Sequence, residues 1–253
     1  HALVVGAGGT FGRKIAARLV SEGLHVIGIG RSREALDATG AELGDGFSSV
    51  VADVADDAAV NIIAGALDKP VAMVVHAPGL PVAGGIRTAA TAALVEACNI
   101  KVGGMLRLVR AAESRLRSGS RLVAVGGHYG FEPTAYAATA GIANAAVANL
   151  IKQLSWAYGG QGVTAHLVAP GPADSERLRN VARARAERSG RDIDEELSQM
   201  RAESAIGAFV TADQVAWAVA GLLAPEADAL AGSTLFLDAG RRRCTQQVDD
   251  GSG

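Results

Sequence analysis

Short apolar runs alternate along the chain with longer stretches whose apolar residues recur every three or four positions. Ala2-Leu3-Val4-Val5 is one such run; Gly6-Ala7-Gly8-Gly9-Thr10-Phe11-Gly12 comes next, and Arg13 to Val20 carries the helical period. The local order is therefore strand, glycine turn, helix. Glycines allow a sharp turn and a close backbone approach, and the positive end of a helix attracts phosphate, so this junction suits a pyrophosphate.

The same alternation continues. Further strands are predicted at 25–30, 49–54, 71–79, 121–126, 163–168 and 233–237, and helices at 12–21, 56–67, 90–117, 135–158 and 211–223. Strands this apolar on both faces belong in a parallel sheet covered by helices. The expected fold is α/β: a Rossmann-type doubly wound parallel sheet in three layers, one domain over residues 2–240. His1 and Gly251-Ser252-Gly253 read as expression remnants, and residues 241–253 as a polar tail beginning at Arg241-Arg242-Arg243.

Composition narrows the partners. With 253 residues, 49% hydrophobic, the chain can bury one large core. A formal charge of −2 offers no basic field for nucleic acid, and no apolar run approaches the roughly 20 residues that cross a bilayer. Cys98 and Cys244 form no disulfide framework, so a cytoplasmic protein acting on a small molecule is expected.

The second strand ends at Gly30, where dinucleotide folds commonly carry an acid for the ribose 2′-hydroxyl; here Arg31-Ser32-Arg33 comes next. Replacing a carboxylate by a guanidinium predicts NADP(H) in preference to NAD(H), because arginine grips a 2′-phosphate.

Taken in order, the glycine turn, Asp53-Val54, His76-Ala77-Pro78-Gly79, Asn99 at the head of a long helix, Tyr136, Pro170-Gly171-Pro172-Ala173-Asp174-Ser175 and Leu235 to Gly240 resemble the short-chain dehydrogenase/reductase family. The resemblance runs from Leu3 to about Gly240. It implies that Gly6, Gly9 and Gly12, with Thr10 and Phe11 in the same turn, surround the pyrophosphate. It implies further that Asp53 and Val54 contact adenine, that Ala77 and Gly79 flank the adenosine ribose, that Pro170 and Gly171 border the nicotinamide, and that Ser175 lies near its carboxamide. Thr10 stands where single-domain members have their middle glycine, a spacing closer to the family's extended branch. His76 reads as a structural hydrogen-bonder.

In active members of the family a Ser positions the substrate oxygen and a Tyr passes the proton. A Lys four residues on supports the Tyr and holds the nicotinamide ribose, and an Asn anchors a water relay. Counting from Gly130 puts Gly127 at the Ser position; with Tyr136 as the Tyr, Ala140 falls at the Lys position, and the segment between Gly130 and Tyr136 is several residues short. The catalytic candidates are Tyr136, Asn99 and His128, the last as a hydrogen-bonder or proton donor near neutral pH. Lys152 lies sixteen residues beyond Tyr136, about 24 Å along a helix, and Lys14 and Lys69 are poorly placed. Lys101 is nearest to Asn99 but is expected to point outward. No metal site is expected.

The resemblance also makes 172–208 a helical lid over the substrate. Its residues Arg177, Arg179, Arg183, Arg185, Glu187, Arg188 and Arg191 form a solvated face that could also steer an acidic substrate. The stretch from Ala135 to Ala148 is mostly small residues that let another helix approach closely; the resemblance implies that this helix and the one after Asn99 pair across a dimer axis, giving a homodimer or homotetramer. The expected function is an NADP(H)-dependent oxidoreductase acting on a carbonyl or alcohol. The alternative is a cofactor-binding relative doing cyclisation, dehydration or isomerisation, or an inactive binding subunit.

Overall fold

A computed structural model describes residues 1–80 and 84–241. The proposed polar tail beyond Arg241, including Cys244, lies outside the described residues. Seven parallel strands form one sheet: β1 (Ala2–Val5), β2 (Val26–Gly30), β3 (Phe47–Val51), β4 (Val71–His76), β5 (Leu116–Val125), β6 (Thr164–Pro170) and β7 (Thr234–Leu237), in spatial order 3-2-1-4-5-6-7. The helices are α1 (Thr10–Ser21), α2 (Arg33–Leu43), α3 (Ala59–Ala64), α4 (Thr91–Cys98), α5 (Gly104–Ala112), α6 (Ala138–Gly159), α7 (Glu176–Ser189), α8 (Ile193–Ala202) and α9 (Ala212–Gly221).

Each face of the sheet has its own apolar layer. Ile63 of α3, Met105 and Leu108 of α5 and Val147 and Ile151 of α6 pack with Leu3 and Leu122 on one face. Ile15 and Leu19 of α1, Leu36 of α2 and Val215 and Val219 of α9 pack with Val4 and Val75 on the other. The doubly wound three-layer sheet is thus the one expected. Its order reverses between β1 and β4, and the crevice at the carboxyl ends of these strands is where such sheets bind ligands.

Several local differences matter to the site. α2 is absent from the elements expected of the sequence, because its inward face is only Leu36 and Thr39; the Ser32 hydroxyl starts it by accepting from the Ala35 N–H at 3.2 Å. The helix expected over 90–117 is broken by a π-turn, Asn99–Gly103, between α4 and α5. A π-turn inserts one residue and rotates the helix beyond it, and such insertions are frequent at functional sites. α6 begins at Ala138, so Tyr136 precedes it. The expected lid contains two helices, α7 and α8, joined at Gly190, whose φ of 67° suits glycine. His1 is part of the fold after all, since its carbonyl accepts the Ala72 N–H at 2.8 Å beside β4.

Candidate active site

A cleft of about 980 Å³ runs across the carboxyl ends of the strands, large even for a ligand pocket. At one end stand Gly30, Arg31, Ser32 and Ala35; the middle is Gly6, Gly8, Gly9, Thr10 and Phe11 facing Ala77, Pro78 and Gly79; at the other end are Lys101, Gly127, His128, Tyr129, Ala140, Asn144, Pro170, Gly171 and Ser175.

The middle is built of backbone. Gly6 has φ of 83°, and a Cβ there would sit 2.7 Å from the Ala77 carbonyl oxygen. The Gly9 N–H donates to the Gly6 carbonyl at 2.8 Å, which closes the turn. Gly12 does not line the cleft but lies beneath it: a Cβ on Gly12 would meet the Gly6 oxygen at 2.0 Å. Gly9 caps α1 without a side-chain hydrogen bond, and the first turn carries no acid, so the helix presents its positive end to the cleft. This cradle fits a dinucleotide diphosphate, which needs close backbone approach, N–H donors and no competing carboxylate.

At the first end, Arg31 is exposed, and its Nη1 lies 3.9 Å from Asp53 Oδ2, a loose and solvated pair. Asp53 and Val54 are not among the lining residues; the Asp53 carboxylate accepts the Ala55 N–H at 3.0 Å. Ser175 lines the cleft and caps α7, accepting the Leu178 N–H at 3.2 Å.

The far end differs most from expectation. Tyr136 does not line the cleft: it is 43% exposed, its hydroxyl accepts from Arg185 Nη2 at 2.9 Å, and the Arg185 guanidinium stands over its ring. The phenol lining the cleft belongs to Tyr129, whose hydroxyl lies 3.2 Å from that of Tyr136. Burial, then the hydrogen bond to Tyr136, push Tyr129 up to about 12. Ala140 and Asn144, one helical turn apart on α6, are the i, i+4 pair that lines the cleft, where the sequence pattern pairs Tyr136 with Ala140.

Asn99 is turned away. Its amide nitrogen donates to the Ala55 carbonyl at 3.0 Å and its oxygen accepts from Arg107 at 2.9 Å. Lys101, expected to point outward, is instead buried and lines the cleft, with Nζ donating to the Val125 carbonyl at 2.9 Å. A signal for this exists in the sequence: Ala97, Lys101, Met105, Leu108 and Ala112 form one buried helical stripe, and the lysine occupies an apolar position in it.

His128, expected to hydrogen-bond or to give a proton near neutral pH, sits where its charged form is disfavoured. Burial first, then Arg241, lower it to about 4, and Arg241 Nη1 stands 3.3 Å from its Nε2. His76 is buried beside Lys101 and pushed well below the ordinary histidine value, chiefly by burial. Arg185 does not form a solvated face; it lies within 4.0 Å of Glu196 and 3.8 Å of Glu203, tying the lid to the Tyr136 loop. Among the described residues no cluster of metal-ligating side chains occurs, and no helix is long and apolar enough to cross a membrane.

Sheet order, glycine cradle and cleft together define a doubly wound nucleotide-binding protein. The chain belongs to the short-chain dehydrogenase/reductase family: the family model described as "Enoyl-(Acyl carrier protein) reductase" matches residues 6–242. It is similar to "Short-chain reductase protein NovJ" of Streptomyces niveus, 28% identical over 95% of this chain and 93% of that one. It is also similar to "Inactive 2-(S)-hydroxypropyl-CoM dehydrogenase 2" of Xanthobacter autotrophicus, 28% identical over 89% of this chain and 98% of that one. Among solved structures, a variant of actinorhodin polyketide ketoreductase with NADPH superimposes with a TM-score of 0.87 at 25% identity, over 95% of this chain and 96% of that one. These relatives are oxidoreductases by name, one of them inactive, and none supports the non-redox alternative.

Proposed function

We propose that the chain is an NADP(H)-dependent reductase that turns a carbonyl of a small, partly apolar molecule into an alcohol. The observation that carries this reading is one continuous cleft joining Arg31 and Ser32, the glycine cradle, and the Tyr129 phenol. The NADPH-bound ketoreductase relative supports the choice of cofactor. Gly6, Gly9, Thr10 and Phe11 would hold the diphosphate, Arg31 and Ser32 the 2′-phosphate, Ala77 and Gly79 the adenosine ribose, and Pro170, Gly171 and Ser175 the nicotinamide. Bound there, the dihydronicotinamide supplies a hydride.

The protein must then orient the carbonyl and deliver a proton to its oxygen. Tyr129 keeps its proton throughout the neutral range, as any tyrosine at about 10 would, and burial with the hydrogen bond to Tyr136 raises it further, to about 12. The alkoxide left when the carbonyl carbon takes up hydride is a far stronger base than a phenolate, so proton transfer from Tyr129 runs downhill. Tyr136, 3.2 Å behind and open to solvent, returns the proton. In the reverse direction Tyr129 would first have to give up its proton, which its burial opposes. Leu80, Leu178, Val181 and Met200 line the lid side of the cleft and suit an apolar substrate body. Exposed Val95 of α4 and Ile142 and Trp156 of α6 are the surfaces through which a homodimer would form.

The test is loss of NADPH absorbance over a panel of ketones and β-ketoacyl thioesters. Tyr129→Phe is expected to lower kcat by about 10² to 10³, the scale of general acid catalysis, and Tyr136→Phe by about tenfold or less. The reverse ranking returns the proton to Tyr136. Absence of turnover across the panel, with NADPH still bound, would favour an inactive binding subunit.

A further inference from the structure

Arg185 of α7 reaches from the lid to the two phenols. The ends of its guanidinium fork meet different groups: Nη1 lies 4.0 Å from Glu196 and 3.8 Å from Glu203, both carboxylates of the lid, while Nη2 donates to the Tyr136 hydroxyl at 2.9 Å. The side chain is only 16% exposed, so little water competes for it, and the guanidinium carbon stands 5.1 Å from the centre of the Tyr136 ring. A planar fork held at one end by carboxylates loses little freedom in presenting the other.

Arginine carries donors and no acceptor, so the Tyr136 oxygen can only accept from it, and the proton of Tyr136 is left for another oxygen. The Tyr129 oxygen is in reach, 3.2 Å away. Ala140, where the family pattern places a lysine, brings no charge to this end of the cleft, and the Lys101 ammonium sits on the Val125 carbonyl. Passing a proton between two phenols gains nothing by itself. A charge-assisted hydrogen bond at one of them makes that oxygen the better place for negative charge.

We propose that Arg185 is a positioning residue for proton transfer: it makes the solvent-open Tyr136 the place where charge rests once the cleft phenol has given up its proton. This rests on the reductase reading above. The Tyr129 O–H bond breaks as the O–H bond of the product alcohol forms on the alkoxide. The Tyr136 O–H bond then breaks as that of Tyr129 is remade, and the Tyr136 phenolate, bonded to Arg185, takes a proton from solvent. Arg185 stays charged throughout. The cation that the family pattern draws from α6 thus comes from α7, and the proton path is complete only with the lid in place.

Turnover of Arg185→Met and Arg185→Gln, alone and combined with Tyr136→Phe, tests this, with NADPH affinity measured by calorimetry. Arg185→Gln keeps a donor without the charge. Each single variant is expected to lower kcat about fivefold, the upper range for a partly solvated ion pair, with KM and NADPH affinity within about twofold of wild type. Neither should cost anything further when Tyr136→Phe is already present. An undiminished kcat, a loss that persists beside Tyr136→Phe, or a raised KM with weakened NADPH, as a loosened lid would give, each overturns the proposal. If Arg185→Met does not fold, judged by thermal unfolding, Arg185→Gln decides the matter alone. A wild type that reduces no member of the panel overturns the reductase reading and this proposal with it, whereas an active wild type with unchanged variants overturns this proposal alone.

Discussion

The two ends of the cleft are made of different material. From Gly30 to the glycine turn the walls are mostly backbone and small residues, fixed by tight contacts such as the one that forbids a Cβ at Gly12. At the other end they are mostly side chains from separate elements: the π-turn, the segment after β5, α6, and the segment after β6. A backbone cradle serves any ligand with a diphosphate and tolerates little change. An assembly of side chains can be rearranged one residue at a time while the cradle persists, so chemistry can drift within a constant fold.

The sharpest way to break this contrast is to add one methyl to a glycine at each end. Gly12→Ala would place Cβ 2.0 Å from the Gly6 oxygen and 2.5 Å from its carbonyl carbon, both backbone atoms that cannot yield. We expect a loss of about 3 kcal/mol or more in unfolding free energy, and NADPH binding weakened at least about a hundredfold. Gly127→Ala meets only the end of the Asn144 amide at 3.0 Å, which can rotate, so its unfolding free energy should change by about 1 kcal/mol or less. Urea unfolding with NADPH titration measures both. Similar costs at the two positions would refute the distinction between the ends.

That distinction also explains what is legible in the sequence. The cradle is legible because local glycine spacing after an apolar run dictates a turn whatever the rest of the chain does. The sheet is legible because runs such as Val71 to Val75 are apolar on both faces. The far end is not, because its residues depend on helix register. One inserted residue in the π-turn turns Asn99 out and Lys101 in, and the start of α6 at Ala138 leaves Tyr136 outside the helix. The short segment between Gly130 and Tyr136 is a trace of that shift. With Tyr136 displaced, Tyr129 and Asn144 join the polar side chains at the cleft, and neither is a residue the sequence pattern marks as a site residue. α2 escapes the sequence pattern for a simpler reason, its narrow apolar face.

The histidines of the site give a prediction about acid. An unfolded His128 titrates near 6.5, but the folded one is held at about 4, so between these values the unfolded chain binds a proton that the native state refuses. Stability should therefore be level above about pH 6.5 and fall as the pH drops toward 4. A shift of this size at about 1.4 kcal/mol per pH unit gives a ceiling of about 3 kcal/mol from His128. His166, also lowered to about 4, adds in the same direction. Urea unfolding at a series of pH values should show a shallower acid slope for His128→Asn than for wild type. An unchanged slope would mean that His128 is not the buried neutral group found beside Arg241.

The smallest effect is expected at the opposite end, where Arg31 selects the cofactor. Its guanidinium is 76% exposed and only loosely paired with Asp53, so solvent and salt screen whatever it gains from a phosphate. Arg31→Ala should weaken NADPH about tenfold and leave NADH within about twofold, erasing the preference without harming the fold. Asp53→Asn should act in the other direction by a few-fold, since removing a carboxylate 3.9 Å from the guanidinium leaves more positive potential for a 2′-phosphate. Both effects should shrink between low and high salt. A salt-insensitive loss at Arg31, or equal weakening of NADH, would mean that Arg31 shapes the cleft rather than reads the phosphate, and the cofactor preference would then have to be sought in Ser32 and the amino end of α2.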